Sequence, residues 1–490
     1  MFSAKTFRLR YGGIVVAALL AGGRTAIAGQ LDLGPLYQHF GLTLAPGERQ
    51  EALGPLFYSE RNDSTRLWAV PPVFSYSLDR ETDFAEFDLG YPLLTYDRFG
   101  HEYRVQLLQV FSFSGGIAQS ETNVHRFTLF PFYFQQRSAI PEKNYTALIP
   151  FYGHLKNRLF RDEVNFVMLP IYVQSRKRDV VTDNYLYPFF HLRHGEGLSG
   201  WQFWPLLGAE HKEITTRTNA WGDAETIGGH DKRFVLWPIY SSQTVGIGTE
   251  NPQRHQAILP LYSLLRSPQR DAITAPWPLG VTHIVDREKK YTSWGTPWPL
   301  IVFDRGPGKT TSRVWPFFSQ SHNDTLESDW YLWPVYKFSR VNAEPLDRRR
   351  TRILFFLYSD LTERSTESGA ALRRIDCWPL FTARRDREGN SRLQVLSILE
   401  PLLPSNKSIE RDYSPLWSIW RAERNAKTGA ASQSLLWNLY RRETAPESRK
   451  CSLLFGLFKY ESNANGSRWR VFYIPFGHTR NAPAGKSATP

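Results

Sequence analysis

Arginine is the residue whose chemistry this chain offers most freely. The formal net charge is +13, and most of the 60 basic residues are arginine. A guanidinium fork grips carboxylate or phosphate at two points, so anionic small molecules or polysaccharide are the first partners expected. The competing reading sets the same arginines at strand ends and turn tips, as solvated charge that keeps sheet edges from pairing.

Other groups that could carry chemistry are sparse. Gly306-Pro307-Gly308-Lys309-Thr310-Thr311 has the composition of a phosphate loop, but Phe303 stands where the leading glycine is needed, and no helix follows. It reads as a hairpin tip. His191 and His194 would share a face only on a helix, and they follow the Tyr187-Pro188-Phe189-Phe190 phrase in a strand, so they make no metal pair. Asp83, Glu86, Asp88, Asp360 and Glu363 lie near turn signals without a matched acid/base partner and read as solvated turn charge. Cys377 and Cys451 are the only cysteines, so neither a disulfide framework nor a multi-cysteine metal site is available. No nucleophile elbow, zinc signature or dinucleotide fingerprint occurs. No catalytic, cofactor-binding or metal-ligating residue is therefore assigned, and no enzyme is expected. Alternating arginine and aromatic residues suit single-stranded nucleic acid, but their fixed place in every repeat points to packing, and no nucleic-acid partner is expected.

The elements that would position these residues come from a repeat. The phrase aromatic-or-aliphatic, Pro, apolar, aromatic returns as Tyr91-Pro92-Leu93-Leu94, Phe130-Pro131-Phe132-Tyr133, Leu169-Pro170-Ile171-Tyr172, Trp237-Pro238-Ile239-Tyr240, Trp333-Pro334-Val335-Tyr336 and Trp378-Pro379-Leu380-Phe381. Roughly twenty residues separate successive copies, and about twenty-three copies fill the chain. Centres at 35, 55, 72, 92, 109 and 131 alternate longer and shorter intervals, as an antiparallel meander does when turns at one end are longer than those at the other. Tips such as Arg385-Asp386-Arg387-Glu388-Gly389-Asn390 supply the polar turns. The spacing predicts one strand per unit, centred on the proline, with a bulge there to absorb the missing N–H. The interval 208–232 is expected to be a long loop or one degenerate strand. The aromatic content of 14% suits pleated, half-buried surfaces and interface girdles.

The N-terminus carries a basic start at Lys5, Arg8 and Arg10, an apolar run over 14–21, and Ala26-Ile27-Ala28 before Gly29, the pattern of a secretory signal. Residues 1–28 are expected to be a signal peptide, 29–480 a single repeat β-domain, and 481–490 a polar tail.

The Trp-Pro-Leu-Phe and Leu-Pro-Phe-Tyr phrases behind such a signal resemble those of bacterial envelope proteins with tandem Trp-Pro-x-aromatic β-repeats. In period and aromatic richness the chain also resembles large outer-membrane β-barrels. It departs from them in running past Phe476 into a polar tail. The resemblance implies an all-β fold, an antiparallel meander of about 22–24 strands closed as a large β-barrel. It implies no cofactor, a lipid bilayer as partner, and an outer-membrane place where a porin-like protein passes anionic solutes or polymers. The alternative is a periplasmic or surface β-repeat scaffold or binding protein.

Overall fold

The computed structural model describes residues 34–116, 124–218, 221–464, 466–472 and 474–479. The expected signal peptide and polar tail lie outside the described residues. The chain is an all-β antiparallel meander in which 43 strands form one sheet. Each strand of that sheet pairs with the next along the chain, from Gln38–Gly41 to Ile474–Thr479. At about 4.8 Å per strand its contour is roughly 200 Å.

The expected strand count is corrected, and the reason is the proline. Val235 pairs with Tyr240, so Leu236-Trp237-Pro238-Ile239 is the turn between two strands and not the middle of one. The same holds where Leu129 pairs with Tyr133, Val167 with Tyr172 and Tyr331 with Tyr336. A residue without an N–H costs nothing at a turn and would break a ladder bond mid-strand. Each unit therefore holds two strands, an apolar turn and a polar turn. The alternating intervals come from the polar turns. Asn62 and Thr65 are bridged by two residues, whereas Asp79 and Phe84 are bridged by four. The bulge expected at each proline is absent, and the register shift found in the pairing of Gly229–Val235 with Tyr240–Ile247 falls at Gly229/His230. The interval 208–232 holds neither a long loop nor one degenerate strand. Leu207–Lys212 pairs directly with Gly229–Val235, and Thr215–Thr218 folds on Ala224–Ile227 as a separate hairpin.

Barrel closure is also corrected, because the first and last strands do not pair and the sheet stays open. Its ends are nevertheless held together by side chains, described below, of which the strand residues Tyr58, Ser75, Glu86 and Asp88 lie on one face. A ribbon touching itself through one face is curled with that face inward. Along one row of that face small side chains lie opposite large ones, Ala147 opposite Phe134, Gly153 opposite Phe166, Gly208 opposite Phe234, Ser319 opposite Trp330 and Ser359 opposite Arg352. The opposite face carries Trp68, Phe87, Phe113, Trp201 and Trp294. Buried apolar side chains gather locally on the inner face, in a cluster of Tyr145, Ala147, Leu155, Val164 and Phe166. Gly153 belongs there because a Cβ would meet the Phe166 ring at 2.2 Å.

Candidate functional site

Two features stand out once the ribbon is laid out: an apolar rim along one edge, and a polar clasp between its ends. The rim begins with a row of paired outer-face residues next to the proline turns. From Val70 the row runs through Phe74, Leu89, Leu94, Leu107, Phe111 and Leu129, and continues through cross-strand partners to Tyr262 without a polar interruption. A second run extends from Ile301 to Ile474. Most of these residues alternate aliphatic with aromatic, the pairing that packs well across antiparallel strands.

Beyond the row lie the turns, and their large side chains face outward. Phe132 is 57% exposed, Phe151 56%, Trp237 51% and Phe317 60%. Part of the turn backbone is hydrogen-bonded all the same. The amides of Leu236 and Trp237 donate to the carbonyls of Leu206 and Pro205 in the preceding apolar turn, each at 2.6 Å. Leu186 and Tyr187 donate likewise to Ile171 and Pro170, and Leu332 and Trp333 to Phe317 and Pro316. The ladder thus continues through the turns, and the proline supplies an acceptor without an orphaned donor. Aromatic rings of successive turns pack on one another, with the Phe189 and Trp204 centroids 6.1 Å apart and those of Trp204 and Trp237 5.9 Å apart. The result is an edge that is apolar and exposed, with part of its backbone hydrogen-bonded from turn to turn.

The clasp is built by the segment 396–419, which crosses the inner face between the strands Ser391–Val395 and Trp420–Arg424. Buried Glu400 anchors it, accepting from Gln394 Nε2 at 2.7 Å, Ser397 Oγ at 3.0 Å and Trp417 Nε1 at 3.0 Å. Asn406 then caps the short helix Lys407–Asp412, its side chain accepting from the Ile409 N–H. That helix sets Arg411 against the N-terminal strands Phe74–Asp79 and Phe84–Leu89. Its guanidinium donates to Ser75 Oγ at 2.7 Å and Glu86 Oε2 at 3.0 Å, and also to Asp88. Tyr58, almost wholly buried, donates to the Arg411 carbonyl at 2.7 Å. Further ties are Tyr413 Oη to the Tyr91 carbonyl at 2.6 Å, Asn438 Nδ2 to Glu51 at 2.7 Å, and the Arg441 guanidinium 3.5 Å over the Phe40 ring. Gly54, at φ 64, lies so close to Trp437 that a Cβ would sit 3.3 Å from it.

Three carboxylates surround the one guanidinium, and their titration reflects that imbalance. Burial pushes Asp412 up to about 6, against the opposing effects of Ser75 and Arg411. Burial also raises Asp88, with Arg411 opposing. Burial acts on Glu86 in the same sense, but the hydrogen bond and charge of Arg411 override it and hold that carboxyl below its usual range. The arrangement joins two remote parts of the chain.

Glu86 and Asp88 are therefore corrected from solvated turn charge to clasp residues in mid-strand. No local signal marks them, because their partner is more than 300 residues away. Asp83 does sit at a polar turn, 3.1 Å from Arg98. Asp360 pairs with Arg373 at 2.8 Å and Glu363 with Arg348 at 3.1 Å. His191 and His194, three apart in a strand, fall on opposite faces. Lys309 lies in a polar hairpin turn and pairs with buried Asp304 at 2.7 Å. Cys377 and Cys451 are free and half-buried. Among the described residues, His322, Glu327 and Asp329 bring three ligand-type atoms within 4.8 Å of one another on the outer face, a grouping the sequence reading missed because cross-strand pairing creates it.

No known protein family matches the chain, and no curated protein is similar to it.

Proposed function

We propose that this protein is a non-enzymatic β-repeat scaffold of the cell envelope that sits on a lipid bilayer, with the outer membrane as its place and the apolar rim dipped into one leaflet. The observation that carries this reading is the rim itself, an edge of exposed aromatic turns, several of whose amides are bonded to the neighbouring turn. Lipid tolerates backbone polar groups only when they are satisfied within the protein, and Trp and Tyr favour the headgroup boundary. An exposed apolar band of such length marks an interaction surface.

Depth favours dipping over spanning. A turn plus one or two residue rows reaches about 10 Å at roughly 3.4 Å per residue, which matches the 5–10 Å of interfacial burial. The strands hold four to eight residues, fewer than the 9–11 or so that a transmembrane strand needs. A porin-like passage for solutes is therefore not carried forward. Export rests on the N-terminal signal pattern.

Flotation with phosphatidylcholine vesicles tests the reading. Mature protein is expected to float, and one in which Phe132, Phe151, Trp237, Phe317 and Trp333 are all serine is expected to lose most of its vesicle-bound fraction. Each tip is worth about 1.5–3 kcal/mol when fully removed from water, so single substitutions within so long an edge shift binding little and a block is needed. Flotation of wild type and block variant to equal extents would overturn the proposal, as would recovery of both in the lipid-free fraction.

A further inference from the structure

The inner face of the sheet holds arginine in excess next to the clasp. Arg348, Arg350 and Arg352 project from the strand Leu346–Ile353, Arg374 from Ala371–Cys377, and Arg384 from Phe381–Arg385. Arg374 and Arg384 are direct cross-strand partners, a placement in which like charges repel. Only two carboxylates share the space. Glu363 pairs with Arg348 at 3.1 Å, and Asp376 with Arg374 at 2.9 Å. Arg350, Arg352 and Arg384 are left with no carboxylate partner among the described residues. The Nε of Arg350 is buried and has no hydrogen-bond partner. Burial, and after it the charges of Arg352 and Arg348, hold the Arg350 guanidinium below the ordinary arginine value.

Like charges gathered on one face repel one another, so a sheet with no use for these half-buried and exposed arginines would be more stable without them. They line a cavity of ≈ 590 Å³ together with Pro401, Leu402, Pro404 and Ser405 of the clasp segment. One wall of the cavity is apolar, made by Phe355, Phe356 and Leu402. Phe355 and Phe356 belong to the apolar turn between Ile353 and Tyr358, so this wall opens at the rim. An anion with two or three oxygens free to accept from guanidinium forks fits the charged wall, and a hydrocarbon tail fits the other.

We infer that this cavity is a binding site for an anionic, phosphate-bearing lipid, with the phosphate held by Arg350, Arg352 and Arg384 and the start of the acyl chain against Phe355, Phe356 and Leu402. The phosphate site stands on the arginines alone. Its assignment to a lipid rests on the membrane reading of the rim.

Isothermal titration of the full mature protein in solution tests this with three probes: inorganic phosphate, dihexanoyl phosphatidic acid below its micelle concentration, and dihexanoyl phosphatidylcholine. Wild type is expected to bind the phosphatidic acid about tenfold or more tighter than either other probe. Replacing one gripping guanidinium, by Arg350→Gln or Arg384→Gln, is expected to weaken it about tenfold, in line with a charge-assisted bond. Glu363→Gln, which removes a competing negative charge, is expected to tighten it. Arg384 is exposed, so its variant carries the test if Arg350→Gln does not fold. Equal affinity in wild type and Arg384→Gln overturns the site. Inorganic phosphate bound as tightly as phosphatidic acid overturns the lipid assignment. Flotation on phosphatidylcholine does not involve this cavity and should be the same for Arg384→Gln as for wild type, so failure of the rim proposal and failure of the site are read separately.

Discussion

Replacing Arg411 by methionine should open the ribbon at the clasp. The Arg411 side chain is only 7% exposed and faces Glu86, Asp88 and Asp412, whose side chains are 16%, 1% and 1% exposed. Methionine fills similar space but leaves three carboxylates without their cation. Removing one partner of a buried pair costs about 3–5 kcal/mol, which at about 1.4 kcal/mol per decade lowers local protection by roughly two to three and a half decades. A long repeat array has no single unfolding free energy, so the suitable readout is hydrogen exchange by segment. Peptides over 404–417 and 57–89 should lose protection by that factor, while peptides over 301–343 should not change. Adding Glu86→Gln and Asp88→Asn to the methionine variant should restore much of the loss, because the burden is uncompensated charge and not lost shape. Unchanged exchange in 404–417 would refute the reasoning, and so would a charge-neutralised triple variant as open as the single one.

The clasp should also respond to pH. Asp412 titrates at about 6 in the folded chain against an ordinary 3.8, so its contribution is complete below the ordinary value and is lost as pH rises through about 6. Asp88 is raised in the same sense. Glu86 is lowered and acts oppositely, its contribution fading only as pH falls through its depressed value. Exchange of 404–417, corrected for its intrinsic rate, should be slower near pH 5 than near pH 8 by about one decade through Asp412, and the reverse order would contradict the assignment. Away from the clasp, Phe166→Ala should cost about 3–5 kcal/mol through the cavity it leaves. The resulting loss of exchange protection over 145–167 should leave 404–417 unchanged.

The β class, the meander and the repeat were legible because the Trp-Pro phrase recurs at a fixed interval and the polar tips between copies are turn signals. The phrase misled at one point. Its residues Leu236, Trp237 and Ile239 have the composition of a buried strand, yet they form an exposed turn whose neighbours are other turns. Apolarity that faces outward reads the same in sequence as apolarity that faces a core. Once the proline is moved from strand centre to turn, the strand number doubles and the alternation becomes clean, with Val235 and Tyr240 outward and Phe234 and Ser241 inward. The clasp was not legible, because Arg411 and Asp88 are separated by 323 residues and nothing local in Glu86 or Asp88 differs from turn charge. The arginine cavity lay between these cases. The excess of arginine over its partners was visible as composition, but its concentration on one face depended on the strand register.

Tryptophan fluorescence in vesicles made with brominated phosphatidylcholines tests the rim most directly. Bromines at a shallow acyl position should quench the mature protein strongly, bromines near the bilayer centre only weakly, and the block variant lacking Trp237 and Trp333 should be quenched little by either. Deep quenching equal to shallow quenching would contradict interfacial seating, and no quenching at any depth would contradict lipid contact altogether.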